Sequence, residues 1–89
     1  MTEDKIKKLL NLVDIQTEDY TPYFQTLKKL NLIIEQLTGV NLDYIKRGYK
    51  MKLDLPEIKA VAPLLRELKY IHAAIKTRQS RSSNSKSDN

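Results

Sequence analysis

Thr21-Pro22-Tyr23-Phe24-Gln25-Thr26-Leu27-Lys28-Lys29-Leu30-Asn31-Leu32-Ile33-Ile34-Glu35-Gln36-Leu37 reads as a single helix, and its reading decides the fold. Phe24, Leu27, Leu30, Ile34 and Leu37 recur every three or four residues and form one apolar stripe. Lys28, Lys29, Asn31, Glu35 and Gln36 lie largely off that stripe. Leu32 and Ile33 widen the apolar face, so this helix is expected at the centre, contacted from two sides. Thr21-Pro22 opens it, because proline at the first helical position loses only an N–H that would be unpaired anyway. Gly39 is the expected terminator, free to take the left-handed conformation.

The flanking segments follow the same logic. Thr2 ahead of Glu3 and Asp4 is a helix-start signal, with carboxylates at the positive end of the helix dipole. Ile6, Leu9, Leu10 and Val13 then predict a first helix over residues 3–14. Ile15-Gln16-Thr17-Glu18-Asp19 loses the period and reads as a connection. Asn41 is placed to cap a short third helix that carries Leu42 and Ile45 inward, with Gly48 fraying its end. Lys50-Met51-Lys52-Leu53 is a loop by composition. A last helix begins near Asp54-Leu55-Pro56-Glu57, and Ile58, Val61, Leu65, Leu68, His72 and Ile75 form its stripe, broadened by Leu64 and Ile71. Pro63 interrupts that pattern and predicts either a kink or two helices meeting at Ala62-Pro63.

No alternating apolar pattern persists and no internal repeat is found. The expected fold is all-α, a compact right-handed bundle of four to five short helices over residues 1–78. The Ser/Arg/Lys-rich stretch 79–89 has nothing to bury and is expected to be a disordered tail.

Composition narrows the function. At 89 residues the chain is one small domain, and with no cysteine it has neither disulfides nor thiolate metal ligands. One histidine excludes a His/Cys zinc cluster, and no cofactor is expected. His72 falls on an apolar stripe, no serine lies outside the tail, and no pair of carboxylates is spaced for acid–base work, so the chain is read as a non-enzyme. Both glycines are isolated, which excludes a phosphate-cradling loop. No apolar run approaches the roughly 20 residues that span a bilayer. The acidic start Met1-Thr2-Glu3-Asp4 is unlike a signal peptide, so an intracellular protein without a membrane partner is expected.

A net charge of +5 favours an acidic partner. The informative run is Ile45-Lys46-Arg47-Gly48-Tyr49-Lys50-Met51-Lys52, where four cations surround a tyrosine and a methionine. It is either a solvated loop that keeps the domain soluble or a binding rim. Cations steer an acidic partner, and apolar anchors lengthen the contact. Tyr49 has a second reading as a core residue of the third helix. Two other partners are weighed. A nucleic acid would use the basic loop and tail, although Tyr44 and Tyr49 alone make no stacking platform. Self-association would use the broad apolar helix faces, whereas the leading expectation is a monomer.

In the order of its parts the chain resembles the family of helical domains that includes the integrase-binding domain of lens-epithelium-derived growth factor and the N-terminal domain of the elongation factor TFIIS. The likeness lies in residues 6–30, a short helix, an isoleucine-containing connection and a helix with Leu27-x-x-Leu30. It resumes at Ile45-Lys46-Arg47-Gly48-Tyr49-Lys50-Met51 and in the closing helix over 60–69. The resemblance implies a nuclear, transcription- or chromatin-associated interaction module. It implies binding of disordered acidic segments with phenylalanine anchors through two interhelical loops. Carried onto this chain, those loops supply Ile15, Gln16 and Glu18 on one side. Lys46, Arg47, Tyr49, Lys50, Met51 and Lys52 lie on the other. The chain departs from the family in a shorter stretch at 37–41, in Gly48, and in Pro63. Near the acidic position of the family's first loop it has Gln16, with Asp14 and Glu18 on either side.

Overall fold

The computed structural model describes the backbone of residues 1–87 and the side chains of residues 1–79. Among these are four α-helices and one 3-10 turn, with no strand: α1 (Glu3–Asn11), the 3-10 turn (Thr21–Tyr23), α2 (Phe24–Gln36), α3 (Leu42–Lys50) and α4 (Pro56–Ser87). The fold is all-α. Of the stretch expected to be a disordered tail, 79–89, the backbone to Ser87 is described as part of α4, while the side chains after Gln79 and residues 88–89 lie outside the described residues.

Capping residues set the starts. Thr2 Oγ1 accepts from the Lys5 amide at 3.2 Å and opens α1, with Glu3 and Asp4 in its first turn. Asn41 Oδ1 accepts from the Tyr44 amide at 2.8 Å and opens α3. Gly39, at φ +74°, carries the chain away from α2 in the left-handed region, as its sequence position required.

Spatial order differs from chain order. α2 packs on α1 and, most extensively, on α4, while α3 also packs on α4. The central position expected for α2 is thus shared with α4, and the end of α1 also lies beside α3. The seam between α2 and α4 buries Leu27, Leu30 and Ile34 against Val61, Leu65 and Leu68. His72 is half-buried at its far end, with Nδ1 2.9 Å from Tyr23 Oη in a hydrogen bond, which is the packing role expected of it.

Several expectations are corrected. Phe24 is not on the inner stripe; it is 42% exposed, and Tyr23 takes the buried place at 2%. At about 3.6 residues per turn, Tyr23, four residues before Leu27, falls on the inner face set by Leu27, Leu30 and Ile34, whereas Phe24 falls about a quarter-turn away. Lys28 lies over the outward Phe24 ring, 5.5 Å from its centroid. Leu32 is 59% exposed, so only Ile33 widens the buried face. α1 ends at Asn11 rather than Asp14. Gly48 does not fray α3 but lies buried inside it, facing Ile58 of α4. α4 is one helix through Pro63, so the two-helix alternative does not apply. Pro63 is exposed, as is Lys59 one turn earlier, whose carbonyl would have taken the missing hydrogen bond.

Candidate binding surface

The first sequence-predicted segment follows, and the second ends on, the same backbone device. At the end of α1 the Asp14 amide donates to Asn11 O at 3.1 Å and the Ile15 amide to Leu10 O at 3.0 Å. At the end of α3 the Lys52 amide donates to Tyr49 O at 3.2 Å and the Leu53 amide to Gly48 O at 3.0 Å. Each pair is the double bond of a Schellman cap, which needs one residue in the left-handed region. Glycine usually fills that place; here Asp14 (φ 57°) and Lys52 (φ 55°) do.

The cap explains the fate of Ile15. Its place just after the left-handed residue turns the side chain back onto the helix it ends, and it is a core residue, 4% exposed. Ile15, expected to meet a partner, is therefore corrected to a core position with only its edge on the surface. Gln16 and Glu18 are exposed. In the second segment Arg47, Lys50, Met51 and Lys52 are exposed, Met51 at 63%. Lys46 is half-buried. Tyr49 is also half-buried against the core, with Lys69 Nζ 5.9 Å from its ring centroid.

One contact brings the segments together. The Asp14 carboxylate bridges two lysines of α3, Lys46 at 3.2 Å and Lys50 at 3.1 Å. Lys46 and Lys50 are one helical turn apart and so share a face of α3. The bridge fastens the turn after α1 to α3.

Electrostatics at this point have a definite sign. Hydrogen bonding from Lys50, then from Lys46, holds the Asp14 carboxyl below the ordinary aspartate value of 3.8, while desolvation pulls the other way. A depressed folded-state value means that the bridge stabilises the fold fully above the ordinary value. That contribution is lost as pH falls through the lower, folded-state value. NMR titration of the Asp14 carboxyl carbon is expected to show a midpoint below 3.8. In Asp14→Asn the matching acid-range shifts of the Lys46 and Lys50 signals should vanish. An ordinary midpoint would mean that the bridge does not persist in solution.

The segments otherwise open on different depressions. Ile15, Gln16 and Thr17 face α1 across a hollow of about 370 Å³, beside Lys7 and Lys8. Tyr49, Lys50 and Lys52 line a larger groove of about 860 Å³ between the end of α3 and the first half of α4. Its remaining lining was not assigned to a binding site from the sequence: Leu53, Asp54, Ile58, Lys59, Ala62, Arg66 and Lys69. The available signal was a second stripe on α4, in which Ile58, Ala62 and Arg66 recur every four residues beside the core stripe.

Among the described residues no three His, Asp or Glu side chains gather closely enough to hold a metal ion. No described helix is long and apolar enough to cross a membrane. The sequence matches no protein-family model, and comparison with curated proteins and with solved structures finds no match.

Proposed function

We propose that this chain is a non-catalytic protein–protein interaction module that takes short acidic segments with aromatic anchors at the end of the bundle formed by residues 15–18 and 46–52. The observation that carries the reading is the Asp14 bridge to Lys46 and Lys50, which sets the two segments side by side. Beside it, Met51 stands out as an unpartnered apolar anchor next to Arg47 and Lys52, which carry no ion pair among the described residues. Cations steer the acidic part of the partner and the apolar side chains hold the aromatic part. The resemblance to the TFIIS N-terminal-domain family supports the same reading. With it comes the proposal of a nuclear, transcription- or chromatin-associated protein acting as a monomer.

The test uses an acidic, phenylalanine-containing peptide added to isotope-labelled protein. Lys50→Glu combined with Met51→Ala is expected to abolish binding while helicity by circular dichroism stays unchanged. Unaltered binding by that variant would remove the assignment.

A second reading has its own observation: Lys52, Arg66 and Lys69 form a cationic strip without carboxylate partners among the described residues. A nucleic acid would bind such a strip through phosphates, with a steep loss of affinity on adding salt and no gain from aromatic anchors. A short DNA duplex titrated at two salt concentrations separates the two readings.

A further inference from the structure

The groove between α3 and α4 is more specific than a basic rim. Its floor is apolar, made by Tyr49, Ile58 and Ala62. Ala62 contributes only a methyl group, which leaves depth in the middle of the stripe. Gly48 has no side chain, so Ile58 seats directly against the α3 backbone and the floor is closed from below. Leu53 is 38% exposed, an apolar side chain at the mouth of the groove.

The walls are cationic. Lys50, Lys52, Lys59, Arg66 and Lys69 line the groove, against a single carboxylate, Asp54. Lys59 holds Asp54 at 2.6 Å, and Lys50 is engaged by Asp14 outside the groove. Lys52, Arg66 and Lys69 have no acidic partner among the described residues. Lys52 enters from the α3 side, where its left-handed cap fixes the backbone direction, and Arg66 and Lys69 enter from α4. From Ile58 to Lys69 the groove follows about 16 Å of α4, at about 1.5 Å per residue. That length accommodates about three turns of a partner helix.

We propose that this groove is the seat of an acidic amphipathic segment of another protein, with aliphatic or aromatic side chains on the Tyr49–Ile58–Ala62 floor and carboxylates meeting Lys52, Arg66 and Lys69. The proposal rests on the reading of the chain as an interaction module and extends it. The bound segment continues from the end of the bundle along α4, so a ligand that uses the groove is longer than one confined to the two loops. Charge complementarity selects the class of partner, and the apolar floor separates it from a phosphate backbone, which brings nothing to bury. The cations on both walls also flank any apolar anchor, so the partner's acids belong on both edges of its apolar stripe.

The experiment compares two double variants with the parent protein. Arg66→Glu with Lys69→Glu alters the groove alone; Gln16→Ala with Met51→Ala alters the loops alone. The probe is a synthetic peptide of aspartate and glutamate with two phenylalanines one helical turn apart, and a control peptide has alanine in their place. All altered side chains are exposed, and circular dichroism checks that both variants keep their helices. Charge reversal at two cations of the α4 wall is expected to weaken the peptide by about tenfold or more. Amide shifts in the parent should reach Leu53, Ile58 and Ala62. Binding unchanged by the groove variant but lost in the loop variant would overturn the groove and leave the loop site standing. No binding to the parent protein would overturn both. Equal binding of the alanine control would overturn the apolar seat, leaving charge attraction alone.

Discussion

Gly48→Val is expected to lower stability by about 3 kcal/mol, the upper part of the range for overpacking a filled site. A Cβ at position 48 would stand 2.4 Å from Ile58 Cδ1 and 2.7 Å from Ile58 Cγ1, closer than carbons approach without something moving. Ile58 is 3% exposed and β-branched, so it is held near one rotamer in its helix and has little room to turn away. The remaining response is for α3 to move off α4. Valine also recovers little of the helix propensity that glycine lacks, so nothing local compensates. For a domain of this size the loss corresponds to a fall in Tm of roughly 12–24 °C. The source is isolated by a double-mutant cycle. With Ile58→Ala in the background, Gly48→Val should cost much less than it does alone. Strict additivity would show that the two side chains do not meet.

Leu65→Ala is the other large effect, expected at about 2–5 kcal/mol. Leu65 is fully buried in the seam between α2 and α4, the most extensive contact in the fold. Total stability for a chain of this length is about 4–13 kcal/mol, so one truncation removes a large share of it. The urea midpoint measures the loss. Leu32→Ala is the control: Leu32 belongs to the same apolar run in sequence but is 59% exposed, and its truncation should stay within about 0.5 kcal/mol. Similar losses at both positions would mean that the register of α2 is different from the one described.

The contrast between Leu65 and Leu32 shows what a sequence reveals here. The stripes Leu27-Leu30-Ile34 and Ile58-Val61-Leu65-Leu68 were legible because helical periodicity is local and repeats. The caps at Thr2, Asn41 and Gly39 were legible because one side chain, or the lack of one, decides each. Phe24 was misplaced because its three-residue step to Leu27 resembles the stripe, while Tyr23, four residues before Leu27, is the one on the buried face. Gly48 was read as a breaker, since its use depends on Ile58, ten residues later and on another helix. The site divides in the same way. Lys50, Met51 and Lys52 stand out as a run, but Arg66 and Lys69 join them only because α3 folds back along α4. Asp14 was noticed as a neighbouring acid, and its partnership with Lys46 and Lys50 follows from a turn geometry that no short pattern encodes.

The paired helix caps bear on how this sequence would change over generations. A left-handed residue with a side chain is roughly 1–2 kcal/mol less favourable than one without. A population kept only for its ability to fold would therefore drift toward glycine or asparagine at positions 14 and 52. At position 14 the side chain that stands in place of glycine also reaches Lys46 and Lys50, so a drift to glycine there would relax the cap and release the bridge together.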